Sequence, residues 1–146
     1  MTTNDSVPDW LGRLAAAART TRTSSGQSAL TTAAKALRLA WNTECAVRAG
    51  SPDGDLWWLR LAEAIAEAAD ELELVPGAPV VPLGTGPAPG TALADSPAVR
   101  RALVDLLTAV RDTLAGYSRQ ASSGRDKLAA TLAAGAAARA VTAGST

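Results

Sequence analysis

Four carboxylates lie close together near the middle of the chain, at Glu63, Glu67, Asp70 and Glu71. Carboxylates at such spacing can hold a divalent cation or work as a general acid and base. Their helical angles place them opposite the neighbouring apolar stripe, so we expect them to be hydrated. Oxygen ligands on one exposed helix would bind Ca²⁺ or Mg²⁺ weakly. The pattern therefore predicts an acidic surface, with no metal site.

Other groups able to do chemistry are scarce. The chain has no histidine and a single cysteine, Cys45, beside Glu44. The absence of histidine excludes Ser-His and Cys-His nucleophile pairs and His-ligated zinc. A lone cysteine on an apolar helical face is typical of a small hydrophobic core residue. The glycine-rich stretch GTGPAPG, from Gly84, lacks the lysine of a phosphate-binding loop. We therefore expect neither an enzyme nor a cofactor.

The stretch SPDGDLWWLRLAEA places Trp57 and Trp58 side by side in a chain with four tryptophans, one tyrosine and no phenylalanine. Adjacent helical residues point about 100° apart, and the axis of the apolar stripe falls between these two. Both are expected in the core, where either change to Ala costs about 3–5 kcal/mol. Trp41 is expected at the same height, completing one aromatic layer. Leu56 points to the acidic side and is expected to be an exposed apolar residue.

The elements that position these residues are helices. Apolar residues recur with helical spacing almost everywhere outside one uncharged stretch rich in proline and glycine. This predicts an all-α, up-and-down helical bundle of four to five helices with one long Pro/Gly-rich loop, forming a single domain over residues 1–146. The helices are expected at about 8–22, 28–49, 52–74, 97–120 and 125–142, the loop at 75–95, and frayed ends at 1–5 and 143–146.

Packing can be predicted for three of these segments. The third helix has an apolar stripe on heptad spacing, and burial of both its tryptophans requires contact with two neighbours, so we expect it to be central. In the loop, Val80, Val81 and Leu83 are expected to pack across the bundle. The fifth helix is expected to present a small face, which lets helix axes approach closely; its members are Leu128, Leu132, Gly135 and Ala136.

The charge distribution separates the third helix from the rest. The chain is formally neutral, yet residues 51–75 hold one basic and seven acidic side chains, a net charge of −6. An acidic helix among basic neighbours explains this, and so does an acidic surface for a basic partner. No basic stripe interleaved with aromatic residues predicts nucleic-acid binding, and no stretch is apolar enough to predict a membrane span. One cysteine and the lack of a secretory signal favour the cytoplasm.

These observations favour a non-catalytic helical interaction module, an adaptor, regulator or self-assembling subunit, whose partner is another protein or a second copy of the chain. The alternative is a small-molecule-binding bundle with an apolar pocket lined by tryptophan. The candidate partner or pocket residues are Trp41, Leu56, Trp57, Trp58, Glu63, Glu67 and Asp70.

Overall fold

The computed structural model describes residues 7–50, 55–80, 83–84 and 92–145. Within them lie five helices and no strand: α1 (Val7–Arg22), α2 (Gln27–Gly50), α3 (Leu56–Glu73), α4 (Pro97–Gln120) and α5 (Gly124–Gly144). The predicted all-α helical bundle is confirmed, and four of the five expected helix starts are correct to within one residue. Residues 1–5 and 146, which belong to the expected frayed ends, lie outside the described residues.

Helix boundaries follow the capping side chains. Ser96 and Ser123 accept hydrogen bonds from the first turns of α4 and α5, at Val99 N and Asp126 N. The third helix was predicted to begin at residue 52, and this is wrong: it begins at Leu56, because Asp55 is the N-cap and accepts from the backbone N–H of Trp57. Helix α5 continues to Gly144, beyond its expected end at residue 142.

Four helices form a ring in which each contacts two antiparallel neighbours, in the order α2, α3, α5, α4. The register is visible where Trp57 of α3 meets Gly144 of α5 and where Glu67 meets Arg139. Helix α1 packs outside the ring, against α2 and α4. The expectation that α3 contacts two neighbours is therefore confirmed, but α2 and α4, which contact three helices each, are more central.

The segment between α3 and α4 returns along the outside of α2. Gln27 donates to Gly77 O near the start of α2, Trp41 donates to Gly84 O farther along, and the backbone N–H of Leu93 donates to Ala46 O near its end. Because this segment runs the full length of the bundle, α4 starts at the same end as α3. The long proline-rich connection is thus required by the topology.

The segment packs through other residues than those predicted. Val80 is exposed and Leu83 is half-buried, whereas Val75 and Leu93 are fully buried. Val81 lies outside the described residues. Val75 follows directly on α3 and Leu93 is fixed by its backbone bond to α2, so the two ends of the segment, where it joins the helices, contribute to the core.

Candidate functional site

Trp57 and Trp58 occupy the first turn of α3, immediately after the Asp55 cap. Their rings meet edge to face, with centroids 4.6 Å apart and planes at 80°. Trp58 is only 2% exposed, whereas Trp57 is half-buried and its indole N–H donates to Gly144 O over 3.2 Å. Burial is confirmed for Trp58 and only partial for Trp57, which closes the gap between α3 and the end of α5.

Arg100 of α4 is held over this pair. Its guanidinium lies 4.5 Å from the centroid of the Trp57 ring, and it donates to Asp55 and Asp95 over 2.6 Å each. These hydrogen bonds lower the pKa of both carboxyl groups, and the two carboxylates raise the pKa of Arg100. One guanidinium and two carboxylates leave the cluster with a net charge of −1. Its main effect is structural, because it joins the starts of α3 and α4.

The expected aromatic layer of three tryptophans is wrong. Among the described residues the ring contact of Trp57 is with Trp58, while Trp41 is half-buried elsewhere on α2 and its indole N–H donates to Gly84 O over 3.3 Å. Trp41 therefore anchors the returning segment. Two side chains at the same height on neighbouring helices touch only if both helices turn them toward each other. The sequence does not report how α2 is rotated about its axis, so it could not predict where Trp41 points.

A groove lies on the outer side of Trp57. It has a volume of about 620 Å³ between the first turns of α4 and the end of α5, and it is open to solvent. Trp57, Val104 and Thr108 provide apolar surface, and Arg101 provides an exposed positive charge. Trp58 does not line it. Only one of the predicted tryptophans is thus placed to touch a ligand here.

The acidic residues lie on the outer face of α3, as their spacing predicted. Glu63, Glu67 and Asp70 are exposed. Arg139 of α5 donates to Glu67 over 3.0 Å, so this carboxylate is already paired within the chain. Glu63 and Asp70 have no ion pair among the described residues. Leu56, on the same face, is 56% exposed, which agrees with its predicted position.

Sequence reasoning missed a second exposed surface, on α5. Leu128 and Leu132 were expected to face the core, but both are exposed, and α5 instead buries Ala130, Ala133, Ala136, Ala137 and Ala140. Four of these alanines also keep heptad spacing, so the signal was present. Leucine is more hydrophobic than alanine, so the sequence pattern favoured the leucine face as the buried one. Close contact of α5 with both α3 and α4 instead requires alanine, the smaller side chain, at the interface.

Cys45 is a free thiol beside a buried carboxylate. The Glu44 side chain is inaccessible to solvent and accepts from Arg48 over 3.0 Å. Burial raises the pKa of Glu44, and burial together with the Glu44 charge raises the pKa of Cys45. A thiol held protonated is a poor nucleophile. The arrangement agrees with a packing role for this cysteine.

The fold and the site define an all-α helical bundle with an acidic outer surface on α3 and exposed leucines on α3 and α5. In the part of the chain that the structure describes, no cluster of three His, Cys, Asp or Glu side chains could hold a metal ion, and none of its helices is both long and apolar enough to cross a membrane. Comparisons with protein-family models, curated proteins and solved structures give no match to this chain.

Proposed function

We propose that this chain is a non-catalytic helical interaction module, an adaptor, regulator or self-assembling subunit, that acts through protein–protein contact on the outer faces of α3 and α5. The observation that carries the proposal is the position of the exposed large apolar side chains. Five of the six among the described residues, all leucines, lie on α3, at its end or on α5. Apolar side chains grouped on one side of a protein are typical of interaction surfaces.

The charges on α3 support the same surface. Glu63 and Asp70 stand beside the exposed leucines and have no ion pair with any other described residue, so a positively charged protein would be attracted and oriented there. The free Cys45 suits a reducing compartment, and we include a cytoplasmic location in the proposal.

The proposal is tested by reversing the two free charges. A tagged Glu63→Lys, Asp70→Lys variant should recover markedly less partner from the native host than the wild type, while its helical circular dichroism is unchanged. The matched control is Asp112→Lys, an exposed carboxylate on α4, which should recover as much as the wild type. Equal recovery by all three proteins would contradict contact through this face.

The open groove beside Trp57 favours a second candidate function, the binding of a small molecule. Its volume of about 620 Å³ falls in the range typical of ligand sites. Titration of an amphiphilic dye such as anilinonaphthalene sulfonate should then quench tryptophan emission saturably, and Trp57→Ala, which removes a lining side chain, should weaken the apparent affinity. A linear, unsaturated response identical in both proteins would exclude the groove as a site.

A further inference from the structure

Helix α5 buries its small side chains and exposes its large apolar ones, which is the reverse of the pattern expected for a helix of an isolated bundle. A surface helix normally turns its large apolar residues to the core and its small or polar residues outward. Here five alanines are buried, while Leu128 is 63% exposed and Leu132 is 51% exposed. These two side chains are therefore placed where a partner, and not the chain itself, can bury them.

A third leucine lies across the seam between α3 and α5. Leu74, the C-cap of α3, is 69% exposed. The antiparallel register that joins Trp57 to Gly144 brings residue 74 to the height of Leu128. At 100° per residue, Leu74 lies on the same side of α3 as Glu67, and Leu132 lies on the same side of α5 as Arg139, which Glu67 contacts. Leu74, Leu128 and Leu132 are called the leucine patch below.

The shape of this surface fits a helix. Two antiparallel helices leave a shallow groove along their seam, and a third helix can lie in it with residues at i, i+3 or i+4, and i+7 as anchors. Leu128 and Leu132 are one turn apart, about 6 Å along α5. With Leu74 opposite Leu128, the leucine patch offers contacts over about one turn, which the anchors at i and i+3 or i+4 can occupy.

The charges beside the leucine patch are distributed unevenly. Along α3, Glu63, Asp70, Glu71 and Glu73 make no ion pair within the described residues, and Glu67 is neutralised by Arg139. At the start of α5, Arg125 and Lys127 are exposed. The flank over α3 is thus negative and the flank at the start of α5 is positive. A helix seated on the patch would be held in register by basic residues on its α3 side.

We propose that the leucine patch binds an amphipathic helix of a partner protein, with leucine-like anchors on one face and lysine or arginine on the flank over α3. This deepens the proposed function and rests on it. A second copy of the chain fits less well. Among the described residues, Val80 is the one exposed large apolar residue that lies elsewhere than on α3, at its end or on α5. A symmetric dimer would therefore have to use the leucine patch of both copies. That would place two copies of the acidic flank and two of the positive flank in one interface, whereas a partner helix with basic residues on one side has to match only one acidic flank.

The test uses a fluorescein-labelled synthetic peptide of leucine and lysine, about 18 residues long so that it can form a helix, with leucines at i, i+3, i+4 and i+7. Fluorescence anisotropy should show saturable binding to the full chain, weakening as salt is raised. A scrambled peptide of the same composition and a leucine–glutamate peptide serve as controls and should bind at least about tenfold more weakly. Equal binding of the scrambled peptide, or no binding of the designed one, would overturn the proposal.

Variants locate the site. The double variant Leu128→Gln, Leu132→Gln changes only exposed side chains, so it should keep its helical circular dichroism while losing about tenfold or more in affinity for the peptide. Leu56→Gln is the matched control, because Leu56 is equally exposed but lies about 27 Å away along α3; its affinity should stay within about twofold. Equal losses in both variants would overturn the assignment to the patch.

Three further outcomes are distinguishable. If light scattering shows a dimer of the wild type that the double leucine variant abolishes, the patch joins copies of the chain and the proposal is wrong. If the peptide fails to bind but partner recovery from the native host still depends on Glu63 and Asp70, only this inference fails. If recovery is independent of those charges as well, the proposed function fails with it.

Discussion

Trp57 and Trp58 should differ in their contribution to the free energy of unfolding, although the sequence pattern predicts the same burial for both. Trp58→Ala removes a side chain that is only 2% exposed, and the cavity left in the core should cost about 3–5 kcal/mol. Trp57→Ala removes a half-buried ring. Its losses are the hydrogen bond to Gly144 O, about 0.5–1.5 kcal/mol, and the contact with Arg100, about 0.5–1 kcal/mol. With its partial burial, the total should be about 2–3 kcal/mol.

The assay is urea unfolding followed by far-ultraviolet circular dichroism, because tryptophan emission changes in both variants. We expect Trp58→Ala to lower the free energy of unfolding by at least about 1 kcal/mol more than Trp57→Ala. The double variant should cost less than the sum of the two, since the edge-to-face contact of about 0.5–1.5 kcal/mol is counted in both single variants.

The order of the two losses decides the outcome. A loss at Trp58 of less than about 1 kcal/mol would show that it does not fill the core. A larger loss at Trp57 than at Trp58 would contradict the packing at this end of the bundle. The m-value should be the same in all variants, which would exclude a change in the unfolded state as the cause.

Three further predictions concern α5 and the buried carboxylate. Gly144→Ala should destabilise the fold by about 1–3 kcal/mol in thermal unfolding, because a methyl group there would lie 2.6 Å from a side-chain carbon of Val104. Gly135→Ala, where the nearest neighbouring atom is 3.8 Å away, should instead stabilise it by about 0.5–1 kcal/mol. A change in stability of the same sign in both variants would contradict the packing of α5. Burial raises the pKa of Glu44, so the charged carboxylate is disfavoured in the folded state. Glu44→Gln should therefore stabilise the fold at pH 7 and lose that advantage as the pH falls to about 4. Urea unfolding at the two pH values measures this difference, and an equal effect at both would be inconsistent with the raised pKa. Cys45 should react with iodoacetamide at pH 7.5 more slowly than an exposed thiol in a small peptide. The reaction should be faster in the Glu44→Gln variant, because the Glu44 charge contributes to the raised pKa of the thiol. An unchanged reaction rate would exclude that charge as a cause.

Periodicity and capping were sufficient to predict the helices, because both act within a few residues. Ser96 with Pro97, and Ser123 three residues before Asp126, define helix starts without reference to the rest of the fold. Asp55 was missed as the cap of α3 because Ser51 and Pro52 offer the same signal four residues earlier in the sequence. The choice between competing caps depends on tertiary contacts, and Arg100 binds Asp55.

The surface was harder to predict than the helices. Leu56 and the carboxylates of α3 were placed correctly, because α3 has one clear apolar stripe. Leu128 was misplaced because α5 has two stripes, and the one that faces inward depends on how closely its neighbours approach. The contact of Glu67 with Arg139 joins residues 72 positions apart, and no local pattern reports such a pairing.

Site-specific photo-crosslinking in the native host tests most directly whether the chain works by contact through α3 and α5. A photoreactive residue would replace Leu132, in the leucine patch, and in a second protein Lys35, which is exposed on α2. We predict one discrete crosslinked partner from position 132, lost when Asp70→Lys is added, and none from position 35. The same products from both positions, or none from position 132 in a folded protein, would contradict the account.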